Sequence, residues 1–401
     1  MMLRSNHHAP YKDKANRIHE DVGARYMTKR EFLTFCRTWF CFLLCPRFFC
    51  FPETARAQTA RKGFIRAKLS PYFTVSGMVQ VQCDLCPRQC RISEGERGFC
   101  GARENRDGKL FSLVYGNPCA FYLDPIEKES LFHVLPGTTA LTLSTAGCNL
   151  KCKFCENWEI SQAFPEDIYN YDIPPKMVVK KARESGAHAI TYAYAEPTIF
   201  YEYMYDIARY AKKEGLLNVM HSNGFINPGP LRSLCKVLDA AQIDLKGFTE
   251  EFYREVSKGS LDPVLKTLKI LKSENIHLEI TNLVIPTKND DLSLITEMCS
   301  WVKHELGPNT PIHFSRFYPL HKLQHLPATP VSTLEKARAA AIASGLNYVY
   351  IGKVPGHEAW NTYCPHCDRI VIHRTGYMIK EIHLLNGKCE YCGERIPGIW
   401  Y

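Results

Sequence analysis

Beyond its first 70 residues, this chain has no excess charge of either sign. The whole sequence carries 50 Lys and Arg against 41 Asp and Glu, a formal net charge of +9. Residues 1–70 hold 14 of the basic and 5 of the acidic side chains, so the rest of the chain carries 36 of each. Net charge therefore does not indicate a basic face for nucleic acid on the main body of the protein.

The sequence also lacks a clean apolar run of membrane-spanning length. The candidate run, which ends at Phe51, is interrupted by Arg37, Pro46 and Arg47. Because an Arg at mid-bilayer costs roughly 3 kcal/mol, this run is a poor transmembrane span.

The segment 27–60 nevertheless has the parts of an export signal. It starts with the basic pair Lys29-Arg30, continues through an apolar centre and ends near Ala55-Arg56-Ala57. Its start resembles a twin-arginine signal with Lys in the first place, and a leader without function is the alternative. We interpret residues 1–26 as a disordered or untranslated leader. By default we expect a cytoplasmic protein, with export or membrane tethering as alternatives.

Cysteine, in contrast, is abundant, with 18 residues. In a short secreted chain this number would indicate disulfides. Here most of the cysteines fall in CxxC-type clusters within 401 residues, a pattern that favours metal ligation and reduced thiols.

Three of these cysteines share one short loop: Cys148, Cys152 and Cys155. Thiolates suit zinc, copper(I) or an iron–sulfur cluster, and a closed zinc site needs four ligands, whereas a cubane bound by three cysteines keeps one iron free for chemistry. The alternatives are a buried cluster of free thiols, or a zinc site whose fourth ligand lies elsewhere.

Two further groups contain four cysteines each. The first group, Cys83, Cys86, Cys90 and Cys100, has turn-forming glycines between its members and suits a structural zinc or an auxiliary iron–sulfur cluster. The second group, Cys364, Cys367, Cys389 and Cys392, resembles two zinc knuckles around a predicted hairpin, with a rubredoxin-like iron as the alternative.

From Leu141 onward, short apolar runs alternate with helical patterns. This alternation predicts an α/β fold, a partial (β/α)6 TIM-like barrel with a parallel sheet, an N-terminal Cys-rich segment and a C-terminal zinc-ribbon-like module. The predicted strands are 141–145, 188–194, 218–222, 241–245, 277–284, 311–317 and 348–352. The predicted segments are 1–26 (leader), 27–60 (signal-like), 61–138 (Cys-rich), 139–356 (barrel) and 357–401 (metal-binding module).

Polar residues follow these strands at the end where a barrel of this kind has its active site. The residues in question are Cys148, Glu196, Ser222, Asn223, Asp244, Lys246, Asn282, Ser315, Arg316 and Tyr318. Any one of them is equally consistent with an ordinary polar loop, but six strand ends with such residues favour a site.

The Cys-x3-Cys-x2-Cys spacing, with Phe154 before its last cysteine, resembles the cluster loop of the radical S-adenosylmethionine (SAM) superfamily. The resemblance implies an enzyme in which Cys148, Cys152 and Cys155 hold a catalytic [4Fe-4S] cluster. The amino and carboxylate groups of SAM would chelate the fourth iron. An electron from the cluster would then split the sulfonium and release a 5'-deoxyadenosyl radical.

From about Val81 to Cys392, the chain further resembles the radical SAM protein of the AmmeMemoRadiSam system, itself similar to the activating enzymes of glycyl radical enzymes. The motifs that carry this resemblance are 83–90, 124–128, 131–133, 135–137, 148–161, 196–198, 222–224, 243–247, 315–317 and 348–367. It implies abstraction of a hydrogen atom from an unidentified substrate, with a protein as one candidate. The partners it implies are a low-potential donor of the flavodoxin or ferredoxin type and a protein substrate or Memo-like partner.

The same resemblance assigns cofactor contacts besides Phe154. Glu196 would orient the amino group of SAM, Ser222 and Asn223 would lie near its ribose or carboxylate, and Lys246, with Asp244 beside it, would meet the carboxylate.

Two positions depart from the activase pattern and weaken these assignments. Ala195 precedes Glu196 where the activases have two glycines, and His221 precedes Ser222 where they tend to have Asp. Two other functions stay open: a radical SAM enzyme that modifies RNA or a small molecule, and a non-catalytic iron–sulfur or metal-binding protein.

Overall fold

A single curved sheet forms the centre of the protein in the computed structural model, which describes residues 60–77 and 79–400. The predicted leader and nearly all of the signal-like segment lie outside the described residues. The sheet contains eight strands, and we label them in chain order. They are β1 (Ala120–Pro125), β2 (Thr139–Ser144), β3 (Ala189–Tyr192), β4 (Leu217–Ser222), β5 (Ala240–Asp244), β6 (His277–Val284), β7 (Ile312–Arg316) and β8 (Val349–Gly352).

Neighbours in the sheet are also neighbours along the chain, so the spatial order runs from β1 to β8. Strands β2 to β8 are parallel, with Ile243 opposite Ile280 in the register of β5 and β6. β1 runs antiparallel to β2. Since β1 and β8 do not pair with each other among the described residues, the barrel is partial, as predicted.

Six helices connect the parallel strands. They are α1 (Pro175–Glu184), α2 (Tyr201–Lys213), α3 (Pro228–Cys235), α4 (Asp262–Ser273), α5 (Leu292–Leu306) and α6 (Val331–Ala343). α5 illustrates how the sequence sets their ends: the Asp291 side chain caps its first turn by accepting from the amide of Ser293 at 2.7 Å, and Gly307 follows its last residue with a φ of 95°.

The sequence prediction of the barrel is confirmed within a few residues at each strand. It missed β1, whose Tyr122 and Leu123 are exposed, because an edge strand does not give the continuous apolar run of a buried parallel strand. The predicted segment boundaries stay predictions.

Short elements complete the chain on both sides of the sheet. The remaining strands are Arg61–Lys62, Lys68–Leu69, Phe73–Val75, Val81–Cys83, Arg91–Ile92, Arg103–Arg106, Lys109–Ser112, Tyr169–Asn170, Thr362–Tyr363, Ile370–Thr375, Met378–Ile382, Leu384–Leu385 and Lys388–Cys389. The remaining helical turns are Ile126–Glu129, Trp158–Ser161, Pro165–Asp167, Pro197–Phe200, Glu250–Phe252, Tyr253–Ser257 and Glu358–Trp360.

The amino end of the barrel is closed by the segment that contains Phe132 and His133. Their backbone amides donate to the Glu279 carboxylate of β6 at 3.1 and 2.8 Å, and His313 contacts the same carboxylate at 2.7 Å. Although burial raises the pKa of Glu279, its histidine partners outweigh burial and hold it well below the usual range. Arg374 of the C-terminal module donates to the Phe132 carbonyl at 2.6 Å, so that module packs at this end.

No helix in the part of the chain that the structure describes is both long and apolar enough to cross a membrane.

A buried ion pair fixes the N-terminal Cys-rich segment to the barrel. Arg103 donates to both carboxylate oxygens of Glu202 in α2, at 2.9 and 2.8 Å, and the two side chains are 2% and 5% exposed. Removing one member of such a pair leaves a buried charge without its partner.

We therefore predict that Arg103→Met lowers the free energy of unfolding by about 3–5 kcal/mol. The double variant Arg103→Met/Glu202→Leu should recover most of that loss, because no charge is then buried alone. Anaerobic urea unfolding measures both changes, with the exposed pair Lys266–Asp262 as the control. If the double variant is as unstable as the single one, the ion pair does not explain the attachment.

Candidate active site

Three cysteines occupy the loop that follows β2, at the edge of the sheet where the parallel strands end. Cys152 is buried, while Cys148 and Cys155 are half-buried. Two hydrogen bonds fix the loop backbone to the turn before α4. The backbone amide of Lys151 donates to the Ser257 carbonyl at 3.0 Å, and that of Lys153 donates to the Val256 carbonyl at 2.9 Å. Main-chain contacts therefore hold the loop that carries the thiols.

Polar groups surround these sulfurs. The Leu150 amide donates to Cys148 Sγ at 3.4 Å, and the Ser161 hydroxyl lies 3.2 Å from Cys155 Sγ. Burial raises the pKa of all three thiols, that of Cys152 to about 11. Among the described residues, none of the three belongs to a compact set of ligand atoms within 4.8 Å of one another.

Glu196 connects the ends of β3 and β4. Its carboxylate, 1% exposed, accepts from the Ser222 hydroxyl at 2.7 Å, from the Asn223 amide at 2.9 Å and from the Thr198 amide at 2.9 Å. Burial raises the pKa of Glu196, and these donors oppose the rise. A carboxylate has about four acceptor positions, so one stays available.

Asn223 carries this connection to the cysteine loop. Its side-chain amide donates to Asn149 Oδ1 at 2.9 Å and lies 3.7 Å from Cys148 Sγ. Its own Oδ1 accepts from the Phe225 amide at 2.8 Å. The structure thus brings together Glu196, Asn223 and the cysteine loop, three elements that the sequence placed at separate strand ends.

A line of alternating charges crosses the same edge of the sheet. His221 contacts Glu129 at 2.9 Å through Nδ1 and Asp244 at 3.1 Å through Nε2. Asp244 in turn accepts from Lys246 Nζ at 2.8 Å. Burial alone would lower the pKa of His221, but its two carboxylate partners outweigh burial and raise it to about 10. They therefore hold the imidazole in its charged form.

Lys246 is the member of this charged line that lies next to the cysteine loop. Its ammonium group lies 5.7 Å from the centre of the Phe154 ring. Lys246 also acts to lower the pKa of Cys152, but burial raises this pKa by more than Lys246 lowers it. The structure thus brings together three residues that the sequence predicted as cofactor contacts: Asp244 and Lys246 lie beside the loop that contains Phe154.

Two aromatic side chains on the rim of this edge face solvent. Trp158, just after the loop, is 40% exposed and stacks on His321 with a centroid distance of 5.3 Å. Tyr318, just after β7, is also 40% exposed and donates to the Lys353 carbonyl at 3.2 Å.

Glu129 and His221 were not identified from the sequence as site residues. His221 had a local signal, since it immediately precedes Ser222. Glu129 had none, because it lies in the turn after β1 and contacts His221 only across the fold.

The C-terminal cysteines form a compact set that could hold a metal ion. The four sulfurs of Cys364, Cys367, Cys389 and Cys392 lie within 4.8 Å of one another. Tetrahedral bonds of about 2.3 Å from sulfur to zinc would place sulfurs ~3.8 Å apart. The observed 3.5 Å between Cys364 and Cys392 and 3.8 Å between Cys367 and Cys389 match one ion.

The N-terminal cysteines are arranged differently. Within the described part of the chain, no three of Cys83, Cys86, Cys90 and Cys100 have sulfurs within 4.8 Å of one another. The metal of this group, a structural zinc or an auxiliary iron–sulfur cluster, therefore stays a prediction.

The fold and the site define a class of protein: a partial α/β barrel with a three-cysteine loop at the carboxyl edge of its sheet. The sequence model described as "Radical SAM superfamily" matches residues 142–296, which include this loop and β3 to β6. The chain belongs to the radical SAM superfamily, and as a radical SAM enzyme it is expected to use a [4Fe-4S] cluster and SAM.

Two curated relatives and one solved structure are similar to parts of this chain. Uncharacterized protein MJ0808 of Methanocaldococcus jannaschii is 46% identical over 319 residues, which cover 79% of this chain and 95% of that protein. Pyruvate formate-lyase 1-activating enzyme of Escherichia coli is 25% identical over 162 residues, covering 39% of this chain and 65% of the activase. A solved radical SAM methyltransferase from Sphaerobacter thermophilus aligns with a TM-score of 0.44 at 14% identity, over 61% of this chain and 72% of that one.

The raised pKa of His221 predicts a pH dependence. Charged His221 stabilises the folded state fully below the unfolded pKa of about 6.5, and this contribution is lost as the pH rises through about 10. The difference in unfolding free energy between the wild type and His221→Gln should therefore shrink from pH 6.5 to 10. Denaturant unfolding at several pH values measures it, and a constant difference would show that His221 is not charged in the fold.

Proposed function

We propose that this protein reductively cleaves SAM at a [4Fe-4S] cluster held by Cys148, Cys152 and Cys155, and that it abstracts a hydrogen atom from a polypeptide substrate. One electron given to SAM would break its bond between sulfur and C5' to yield methionine. A hydrogen atom from the substrate would then complete 5'-deoxyadenosine and leave the substrate as a radical. The observation that carries the proposal is a loop of three free thiols at the edge where such barrels have their active sites.

The chemistry of the donor set fits this cluster. Three thiols meet the soft-ligand preference of iron–sulfur sites, and the Leu150 amide and the Ser161 hydroxyl lie within hydrogen-bond range of two of the sulfurs. When bound, the cluster would supply the electron for cleavage. The protein would hold the loop in place, which the backbone contacts of Lys151 and Lys153 support.

Residues beside the loop would position SAM. Glu196 has one acceptor position left for an amino group, and its three other bonds go to Ser222, Asn223 and Thr198. Lys246 donates one of its three protons to Asp244, so its other two are free to meet a carboxylate. A low-potential donor of the flavodoxin or ferredoxin type would supply the electron.

A polypeptide is favoured as the substrate because the rim of the site carries exposed aromatic side chains. Trp158 and Tyr318 flank the mouth from different loops, and aromatic residues are enriched where proteins bind one another. The similarity to pyruvate formate-lyase 1-activating enzyme supports the same substrate class. A small molecule or an RNA is the alternative.

For the C-terminal cysteines we propose a structural zinc ion. The compact set of Cys364, Cys367, Cys389 and Cys392 suits a single tetrahedral ion. Arg374, in the strand between the two cysteine pairs, contacts the barrel through Phe132, so the ion would stabilise the module at the end opposite the active site.

The cysteine loop gives the first test. We expect anaerobically reconstituted wild type, with dithionite and SAM, to produce 5'-deoxyadenosine and methionine, and Cys152→Ala to produce neither above background. Cys299→Ala is the control, because Cys299 is fully buried in α5 away from the loop. Chromatography of the products measures the yield. Undiminished yield from Cys152→Ala would contradict the proposed ligand set.

Glu196 gives a second test. In Glu196→Gln one oxygen becomes an NH2 group that cannot accept from the amides of Thr198 or Asn223. We expect SAM cleavage to fall by about tenfold or more, equivalent to ~1.4 kcal/mol in the barrier. The matched control is Asp239→Asn at the amino edge of the sheet, where the carboxylate accepts from the Asn218 amide at 2.8 Å. Equal losses in the two variants would mean a general loss of stability.

The substrate class can be tested with deuterium. Cells of the source organism are grown in deuterated medium, and their extract is separated into macromolecular and small-molecule fractions. Transfer of deuterium into 5'-deoxyadenosine should occur with the macromolecular fraction and disappear after protease treatment. Transfer from the small-molecule fraction, or loss after ribonuclease treatment only, would replace the polypeptide with the corresponding alternative.

A further inference from the structure

The N-terminal cysteine group lies directly beside the active-site loop. Cys83, Cys86 and Cys100 are 6%, 8% and 9% exposed and Cys90 is half-buried, and none of the four forms a disulfide. Nothing in the proposed function uses these thiols. Three buried thiols and one half-buried thiol in eighteen residues, all of them reduced, are unusual without a metal to bind.

Backbone turns bring these cysteines close to one another. The Cys83 amide donates to the Cys90 carbonyl at 2.9 Å, and the Gln89 amide donates to the Cys86 carbonyl at 3.1 Å to close the turn between them. The Gly101 amide donates to the Gly98 carbonyl at 2.9 Å, which closes the turn that contains Cys100. A Cβ placed on Gly98 would lie 3.7 Å from Cys90 Sγ, so this turn packs against Cys90.

Their spacing, however, does not suit one ion. In the described part of the chain, no three of these sulfurs lie within 4.8 Å of one another, whereas all four C-terminal sulfurs do. Thiolates that bind the different irons of a cluster must lie farther apart than those that share one ion. The same chain thus contains one compact and one expanded set of four cysteines.

The backbone of the N-terminal cysteine group packs against the backbone of the active-site loop. A Cβ placed on Gly147, whose φ is 98°, would lie 2.7 Å from the Cys100 carbonyl oxygen. Only glycine permits this approach. On the other side, Asn227 after β4 donates to the carbonyls of Leu85 and Asp84 at 3.0 and 2.7 Å. The group is therefore held between the loop and a strand end.

Arg88 lies between the two sets of thiols. Its Nε donates to the Asn149 carbonyl at 2.5 Å, and its guanidinium group lies 3.4 Å from the centre of the Phe99 ring. A second contact, from the Arg88 guanidinium to the Lys258 carbonyl, also goes to the backbone. Within the described residues the ion pairs include no carboxylate partner for Arg88. Metal-bound thiolates on either side would supply negative charge beside this half-buried cation.

We infer that Cys83, Cys86, Cys90 and Cys100 hold a second iron–sulfur cluster, next to the active-site loop and separated from it by Arg88. All its irons would have protein ligands, so it would not bind SAM. This inference does not depend on the proposed function, because a second cluster can be present whether or not SAM is cleaved.

The test uses the full chain with the active-site cysteines removed: Cys148→Ala/Cys152→Ala/Cys155→Ala. After anaerobic reconstitution with iron and sulfide, we expect about four irons and four sulfides per chain in this variant and about twice that in the wild type. Its dithionite-reduced electron paramagnetic resonance signal should not change when SAM is added. Addition of Cys86→Ala and Cys100→Ala to the triple variant should remove the iron, while addition of the control Cys235→Ala should not.

Zinc content separates the alternatives. About one zinc per chain in the triple variant, assigned to the C-terminal module, agrees with the inference. Two zincs with no iron, or no metal at the N-terminal group, would overturn it. If the triple variant does not fold, the iron content of the reconstituted wild type is the test. Four irons per chain instead of eight would overturn the inference. None of these measurements of metal, sulfide or paramagnetic signal depends on SAM cleavage. The inference can therefore fail while the proposed function stands.

Discussion

The buried carboxylate of Glu196 is the contact on which the geometry of the site depends. Parallel strands end in separate loops, and nothing in a sheet by itself keeps those loops in a fixed relation. Glu196 joins the ends of β3 and β4 through the Ser222 hydroxyl and the Asn223 amide, and Asn223 extends the connection to Asn149 beside the first cysteine. Since each unpaired group in such a buried network costs about 1–3 kcal/mol, the network favours one arrangement.

Charge at this edge is arranged in pairs. Glu129, His221, Asp244 and Lys246 alternate in sign from the turn after β1 to the cysteine loop, so no charge in the line is buried without a partner. The activases that this sequence resembles tend to have Asp where this chain has His221. In this protein the imidazole lies between two carboxylates, which an acidic residue could not do without repulsion. The departure seen in the sequence is thus compensated by Glu129 from another element.

The two ends of the barrel carry different groups of residues. At the amino end, Glu279 binds the backbone of the Phe132–His133 segment, and the C-terminal module packs there through Arg374. At the carboxyl end, the cysteine loop, Glu196 and the charged line surround the mouth. This division follows the usual rule for such barrels, in which stability is provided at one face and chemistry at the other.

Much of this could be predicted from the sequence, because buried parallel strands are continuous apolar runs and cysteine spacing is a local property. The ranges of β4 and β6 and the positions of Cys148, Glu196 and Lys246 followed from these signals. β1 was missed because its exposed Tyr122 and Leu123 do not resemble a buried strand. Glu129, and the different spacing of the two four-cysteine groups, depend on contacts between distant segments, which no local pattern shows.

The central claim is that the three-cysteine loop leaves one iron open for SAM. The most direct measurement is electron–nuclear double resonance on the reduced enzyme with SAM labelled with 15N in its amino group and 17O in its carboxylate. We predict hyperfine coupling of both labels to the cluster, and loss of this coupling when Cys152 is replaced by Ala. A reduced cluster that shows no coupling to either label at saturating SAM would contradict it.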